Sequence, residues 1–263
     1  MSVTATHAPG TFCWADMGTP DAEASKRFYT GLFGWTSEDG PIGDGAFYTM
    51  FQMEGRSVCA VYQQDEQLRD GGVPPSWLSY VSVESADLTA AKVRELGGTV
   101  MMEPFDVVDA GRMTLLSDPV GAVLGAWEPR RHIGAEVMGE PGSICWDELL
   151  TSDVDAAARF YALLLEWDVE PRQVGAVTYH YIKNQGQAIG GMLAPAGKMA
   201  GVPAQWLLYF AVADCDESHE RALSLGASVK VRPTDVPGVG RFAVIEDPQG
   251  AVFSIIHLLP AQS

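Results

Sequence analysis

The chain carries the same text twice. Residues 10–35, GTFCWADMGTPDAEASKRFYTGLFGW, and residues 142–167, GSICWDELLTSDVDAAARFYALLLEW, share 11 of 26 positions at an offset of 132. Residues 73–129 match residues 202–258 at an offset of 129, with 20 of 57 identical. The pairs include Trp14/Trp146, Asp21/Asp153, Tyr29/Tyr161, Tyr80/Tyr209, Arg112/Arg241 and Asp118/Asp247. The drop in offset means that the second copy has lost three residues in its middle loops. Whatever one half builds, the other builds too. A unit of ~130 residues is too long for a solenoid repeat and has the size of a small domain. The boundary is expected in residues 129–142, PRRHIGAEVMGEPG, which have little periodicity. This places domains at 8–131 and 140–260.

Each copy reads alike. A strand (11–17; 143–149) precedes Thr-Pro-Asp or Thr-Ser-Asp, a helix-start signal. The helix follows, with Phe28, Leu32 and Trp35, or Phe160, Leu164 and Trp167, at three- and four-residue spacing. Two or three strands come next, such as 46–53 with 56–62. A Gly/Pro-rich loop leads to another strand (77–83; 206–212). A second helix stops at Gly97-Gly98 or Gly226-Ala227, and two strands joined by an Asp-Pro-x-Gly turn close the copy. The order is βαβββ, then βαβββ again.

The segments TPDAEASKRFYTGLFGW, TSDVDAAARFYALLLEW, SDPVGAVLGAW and EDPQGAVFSII, set in that order of elements, resemble the vicinal oxygen chelate superfamily, which holds glyoxalases, bleomycin-resistance proteins and extradiol dioxygenases. The chain looks most similar to the fused two-domain, glyoxalase-like actinobacterial branch, which includes a mycobacterial antigen. The resemblance implies an α+β fold: two tandem glyoxalase-like domains, each a pair of βαβββ modules forming a cupped mixed sheet around a pocket. Fold alone does not assign activity.

In metal-dependent members of the superfamily, ligands come from strands of both modules. By that resemblance the first slot falls on Trp14 and Trp146, the second on Tyr80 and Tyr209, and the last on Gly125 and Ser254. Indole and glycine offer no lone pair to a cation, and a tyrosine would have to ionise first. No metal ligand and no other cofactor is therefore expected. Strand alternation instead places Trp14 with Asp16, and Trp146 with Glu148, on the face that the resemblance assigns to the pocket. Tyr80, Tyr209, Trp127 and Ile256 should join them, as should Tyr48 with Met50 and their counterparts Tyr179 with Tyr181. Indole, phenol and thioether walls suit a small hydrophobic or aromatic molecule.

An inward carboxylate needs a partner. Three roles are open for Asp16 and Glu148: a salt bridge with Arg112 or Arg241, a ligand contact, or a general base whose pKa burial has raised. Three functions are open for the chain. It is a metal-independent small-molecule-binding protein of the glyoxalase/bleomycin-resistance type, in resistance, sequestration or biosynthesis. Or it is a glyoxalase-like lyase or isomerase, metal-free with a carboxylate base or acting on reactive dicarbonyls. Or it is a structural protein whose cups are filled by their own side chains. His132 reads as linker, His219 as helix surface, and Glu128 and His257 as exposed. Cys13 and Cys145 read as small buried apolar residues.

Charge narrows the partners. The net charge is −17, from 17 basic and 34 acidic residues, spread over both halves. Neither half offers a basic patch, so no nucleic acid and no anionic membrane surface is expected. No membrane span, no secretory signal and no Cys-x-x-Cys spacing is visible among the 4 cysteines, which points to a reduced, cytoplasmic protein. Fusion of two copies points to a monomer with intramolecular domain pairing, a dimer being the alternative.

Overall fold

The computed structural model describes residues 6–43, 45–175, 177–195 and 201–259. The first half runs β1 (Phe12–Thr19), α1 (Ala22–Phe33), β2 (Thr36–Gly43), β3 (Ala46–Met53), β4 (Arg56–Gln63), a short α2 (Glu66–Asp70), β5 (Ser76–Ser82), α3 (Ala86–Glu95), β6 (Thr99–Val107), β7 (Gly111–Ser117) and β8 (Val123–Pro129). In its described residues the second half repeats this order: β9 (Ile144–Leu150), α4 (Val154–Leu165), β10 (Asp168–Val174), β11 (Val177–Asn184), β12 (Gln187–Leu193), β13 (Gln205–Ala211), α5 (Cys215–Ser224), β14 (Ser228–Val236), β15 (Gly240–Glu246) and β16 (Val252–Leu258). Each half is one curled eight-stranded sheet. In the first the order is β2-β3-β4-β1-β5-β8-β7-β6, and in the second β10-β11-β12-β9-β13-β16-β15-β14. Two tandem α+β domains of paired βαβββ modules result.

The local causes recur. Asp21 and Asp153 cap α1 and α4, each accepting a backbone N–H at 2.9 Å from the residue three places on. Gly34 ends α1 in the left-handed region at φ 73°, where glycine meets no Cβ penalty. Glu166 ends α4 at φ 60° and does meet it.

The convex faces of the two sheets share their cores. Phe28, Tyr29 and Leu32 of α1 are buried with Phe210, Phe253 and Ile255 of the second sheet, and Phe160, Tyr161 and Leu164 of α4 with Val81, Leu116 and Leu124 of the first. Tyr29 donates to Asp247 across the seam at 3.0 Å and accepts from Trp77 Nε1 at 3.0 Å. Trp35 donates to the Gly142 carbonyl and Trp167 to the Gly10 carbonyl. The seam is not fully symmetric: Ser79 donates to buried Asp147 between the sheets, where the repeat puts Leu208 and Ala15. Pairing the convex faces leaves the concave faces free as cups.

Candidate functional site: two aromatic cups

The register that builds the sheets also builds the cups. Trp14 lies beside Tyr80, and Tyr80 beside Gly125. Asp16 lies beside Ala60, and Ala60 beside Met50. Small residues in these rows let large rings lie across the sheet. A Cβ at Gly125 would collide with the Tyr80 ring, and one at Gly111 with the Trp127 ring. In the second cup Gly191 makes the same room for Tyr179.

In the first cup the polar atoms form a chain. Trp14 Nε1 donates to Tyr48 Oη at 2.9 Å, and Tyr48 donates to Asp16 Oδ2 at 2.9 Å. Tyr80 donates to the same oxygen at 3.1 Å. Asp16 is 5% exposed, and its Oδ1 has no partner. Burial pushes its carboxyl up to about 7, against the pull of the two tyrosine hydroxyls. A cavity of about 220 Å³ lies over these residues. Its wall comprises Trp14, Asp16, Tyr48, Met50, Tyr80, Val107, Ala110, Met113, Trp127 and His132. All the first-half residues expected in the pocket thus meet around one space.

The second cup repeats the network with different chemistry. Trp146 Nε1 donates to Tyr179 Oη at 2.8 Å, and Tyr209 donates to Glu148 Oε1 at 2.9 Å. Burial pushes the Glu148 carboxyl up, against the pull of the Tyr209 and Tyr179 hydroxyls. Tyr181 packs between Tyr179 and Trp146, with the Arg172 guanidinium 5.2 Å from its ring centre. Ile256 is buried against Leu207, Tyr209 and Val244. The longer glutamate and the larger Tyr181 stand where the first cup has Asp16 and Met50.

Several expectations need correction. Neither carboxylate pairs with an arginine, because tyrosine hydroxyls occupy that role. Arg112 instead pairs with Asp87 and Asp106, and Arg241 with Asp216 and Asp235. His132 is part of the first cup's wall. Its ring meets Trp14 edge-on at 4.6 Å, and its carbonyl accepts from Trp127 Nε1 at 2.8 Å. His219 is buried. Glu128 is half-buried and accepts from the Ala86 N–H at the start of α3. Cys13 is buried as expected, while Cys145 is only partly so.

Among the described residues, the slots that hold the family's metal ligands do not suit a divalent cation in either cup. The first slot, an indole, is spent as a donor, and the second, a tyrosine, donates to a carboxylate. A side chain at Gly125 would meet the Tyr80 ring. Among the described residues no group of three or more His, Cys, Asp or Glu is placed to hold a metal. No helix among them is long and apolar enough to cross a membrane.

Comparison with known proteins agrees with the repeat. Residues 12–125 match the family model for the glyoxalase/bleomycin resistance protein/dioxygenase superfamily, and residues 143–256 match a glyoxalase-like domain. The CFP32 protein of Mycobacterium tuberculosis, which carries a glyoxylase name, is 41% identical over 255 residues, covering 96% of this chain and 97% of its own. The anthracycline biosynthesis protein DnrV of Streptomyces peucetius is 38% identical over 261 residues, covering 95% and 94%. The Mn(II)-bound glyoxalase from Novosphingobium aromaticivorans has a similar fold, at a TM-score of 0.67 and 16% identity over 96% of this chain and 83% of that one. With both halves matched and the full length shared with such relatives, this chain belongs to the glyoxalase/bleomycin resistance protein/dioxygenase superfamily, in its fused two-domain form.

Proposed function

We propose that the first cup binds a small hydrophobic or aromatic molecule without a metal ion, in a resistance, sequestration or biosynthetic role. One observation carries this reading: a cavity of about 220 Å³ whose walls are indole, phenol and thioether, with one buried carboxylate holding a free oxygen. Apolar walls supply affinity, and the free carboxylate oxygen orients a donor on the ligand. The relatives named for anthracycline biosynthesis favour the biosynthetic form.

The test has two parts. Protein purified without chelator is analysed for bound metal, and the same protein is titrated with 2-naphthol by calorimetry. The reading expects binding with no stoichiometric zinc, nickel, iron or manganese. Binding that appears only when such an ion is supplied contradicts it.

A second reading has its own observation. A carboxyl at about 7 with a free oxygen is poised to accept a proton near neutral pH. This favours a lyase or isomerase with Asp16, or Glu148 in the second cup, as base. Turnover of a methylglyoxal hemithioacetal that falls at least a hundredfold in Asp16→Asn supports it. Turnover unchanged in both Asp16→Asn and Glu148→Gln removes it.

A further inference from the structure

The segment joining the halves does more than connect them. Its Ala135 N–H donates to the Cys13 carbonyl at 2.7 Å, and its Glu136 N–H to the Ser57 carbonyl at 2.8 Å. Glu136 also accepts from the Ser57 N–H at 2.7 Å. Gly134 sits at φ 106° against the Cys13 carbonyl, where a Cβ would not fit. The segment is thus bonded to β1 and β4 and carries His132 to the cup as a fixed group. The His132 Nε2 is sealed from solvent and has no partner, as is Asp16 Oδ1. Both residues line the same apolar cavity, and two orphaned polar atoms on residues of one cavity wall are a costly arrangement.

The apolar surface also continues outward. Directly opposed residues of neighbouring strands share a face. Phe105 opposes Met113, which opposes Trp127. Met102 opposes Leu115, which opposes Gly125. Phe105 and Met102 therefore extend the cup to the sheet edge, where they stay 40% and 43% exposed. In the second half the same positions hold Thr234 and Val231.

Resting on the reading above, we propose that the first cup takes a planar compound of more than one ring that carries two oxygen substituents, one held by Asp16 and the other by His132, with its apolar end across Phe105 and Met102. A hydroxyl suits both anchors. It donates to the carboxylate, and it matches either tautomer of a neutral imidazole. His132 is then a specificity residue that the repeat alone does not supply.

Calorimetric titration with three probes tests this: 2-naphthol, 1,6-dihydroxynaphthalene and resorcinol. The expected order has the dihydroxynaphthalene at least tenfold tighter than 2-naphthol. His132→Leu brings the two within twofold of each other, and His132→Gln restores the preference. Phe105→Thr weakens both naphthalene probes about tenfold and leaves resorcinol unchanged. Thermal melts of each unliganded variant confirm that it folds. A preference for the dihydroxy probe that survives His132→Leu overturns the assignment, as does equal binding of the two naphthalene probes to the wild type. In either case 2-naphthol still binds and the broader reading stands. If no probe binds, that reading fails as well.

Discussion

The two cups began as one text and have diverged in what they hold. Both keep a tryptophan that donates to a tyrosine and a carboxylate under tyrosine hydroxyls. The first pairs a short carboxylate with Met50 and is walled on one side by the joining segment. The second pairs a longer carboxylate with Tyr181, and Ile256 replaces Trp127. The shared part is the network that fixes the carboxylate. The variable part is the space left beside it. Duplication lets the two copies share a scaffold while the space beside each carboxylate varies.

Four substitutions probe this comparison. Gly125→Glu puts a family-type ligand back in the last slot, against the Tyr80 ring. It should cost about 3 kcal/mol in denaturant unfolding, through overpacking and a buried charge. Ser254→Glu should cost less, since a Cβ is already accommodated there. Equal costs would break the claimed difference between the cups. At pH 8, where the Asp16 carboxyl is ionised, Asp16→Asn should weaken 2-naphthol binding about 30-fold, corresponding to about 2 kcal/mol for a hydrogen bond to a charged group. Glu148→Gln should change it less than about twofold, within the usual scatter of a distant change.

The seam offers a pH test. Burial raises the Asp147 carboxyl to about 7. An unfolded chain ionises this group near its ordinary pKa of 3.8, whereas the folded chain holds the proton up to about 7. Stability therefore falls as pH rises through that window, and the penalty is complete above it. Asp147→Asn should flatten the slope between these limits and raise stability at pH 8 by on the order of 1.5 kcal/mol. Asp16, also raised to about 7, leaves a residual slope. The smallest effect is expected at the helix ends. Glu166→Gly, copying Gly34, should stabilise by about 0.5 kcal/mol in the same unfolding assay.

The repeat made most of this legible. Two collinear copies fix element order, and strand alternation puts Trp14 and Asp16 on one face without any knowledge of the turns. The tyrosines of β3 and β5 followed from the same parity. His132 was not legible, because the joining stretch that carries it has neither a copy nor a period. Its place depends on the path past Cys13 that Gly134 permits. Which of its open roles Asp16 fills was not legible for a related reason. Arg112 recurs, but alternation puts it on the opposite face from Met113, and Asp87 and Asp106 take its donors. The Ser79–Asp147 contact joins two halves whose relative placement no local pattern encodes.

The proposed binding site is a single greasy cup in the first half that needs no cation. Isothermal titration of metal-depleted protein with 1,6-dihydroxynaphthalene measures this directly. One site per chain is expected, abolished by Trp14→Ala and preserved in Trp146→Ala. Two equivalent sites, or heat released only after a divalent ion is added back, would contradict it.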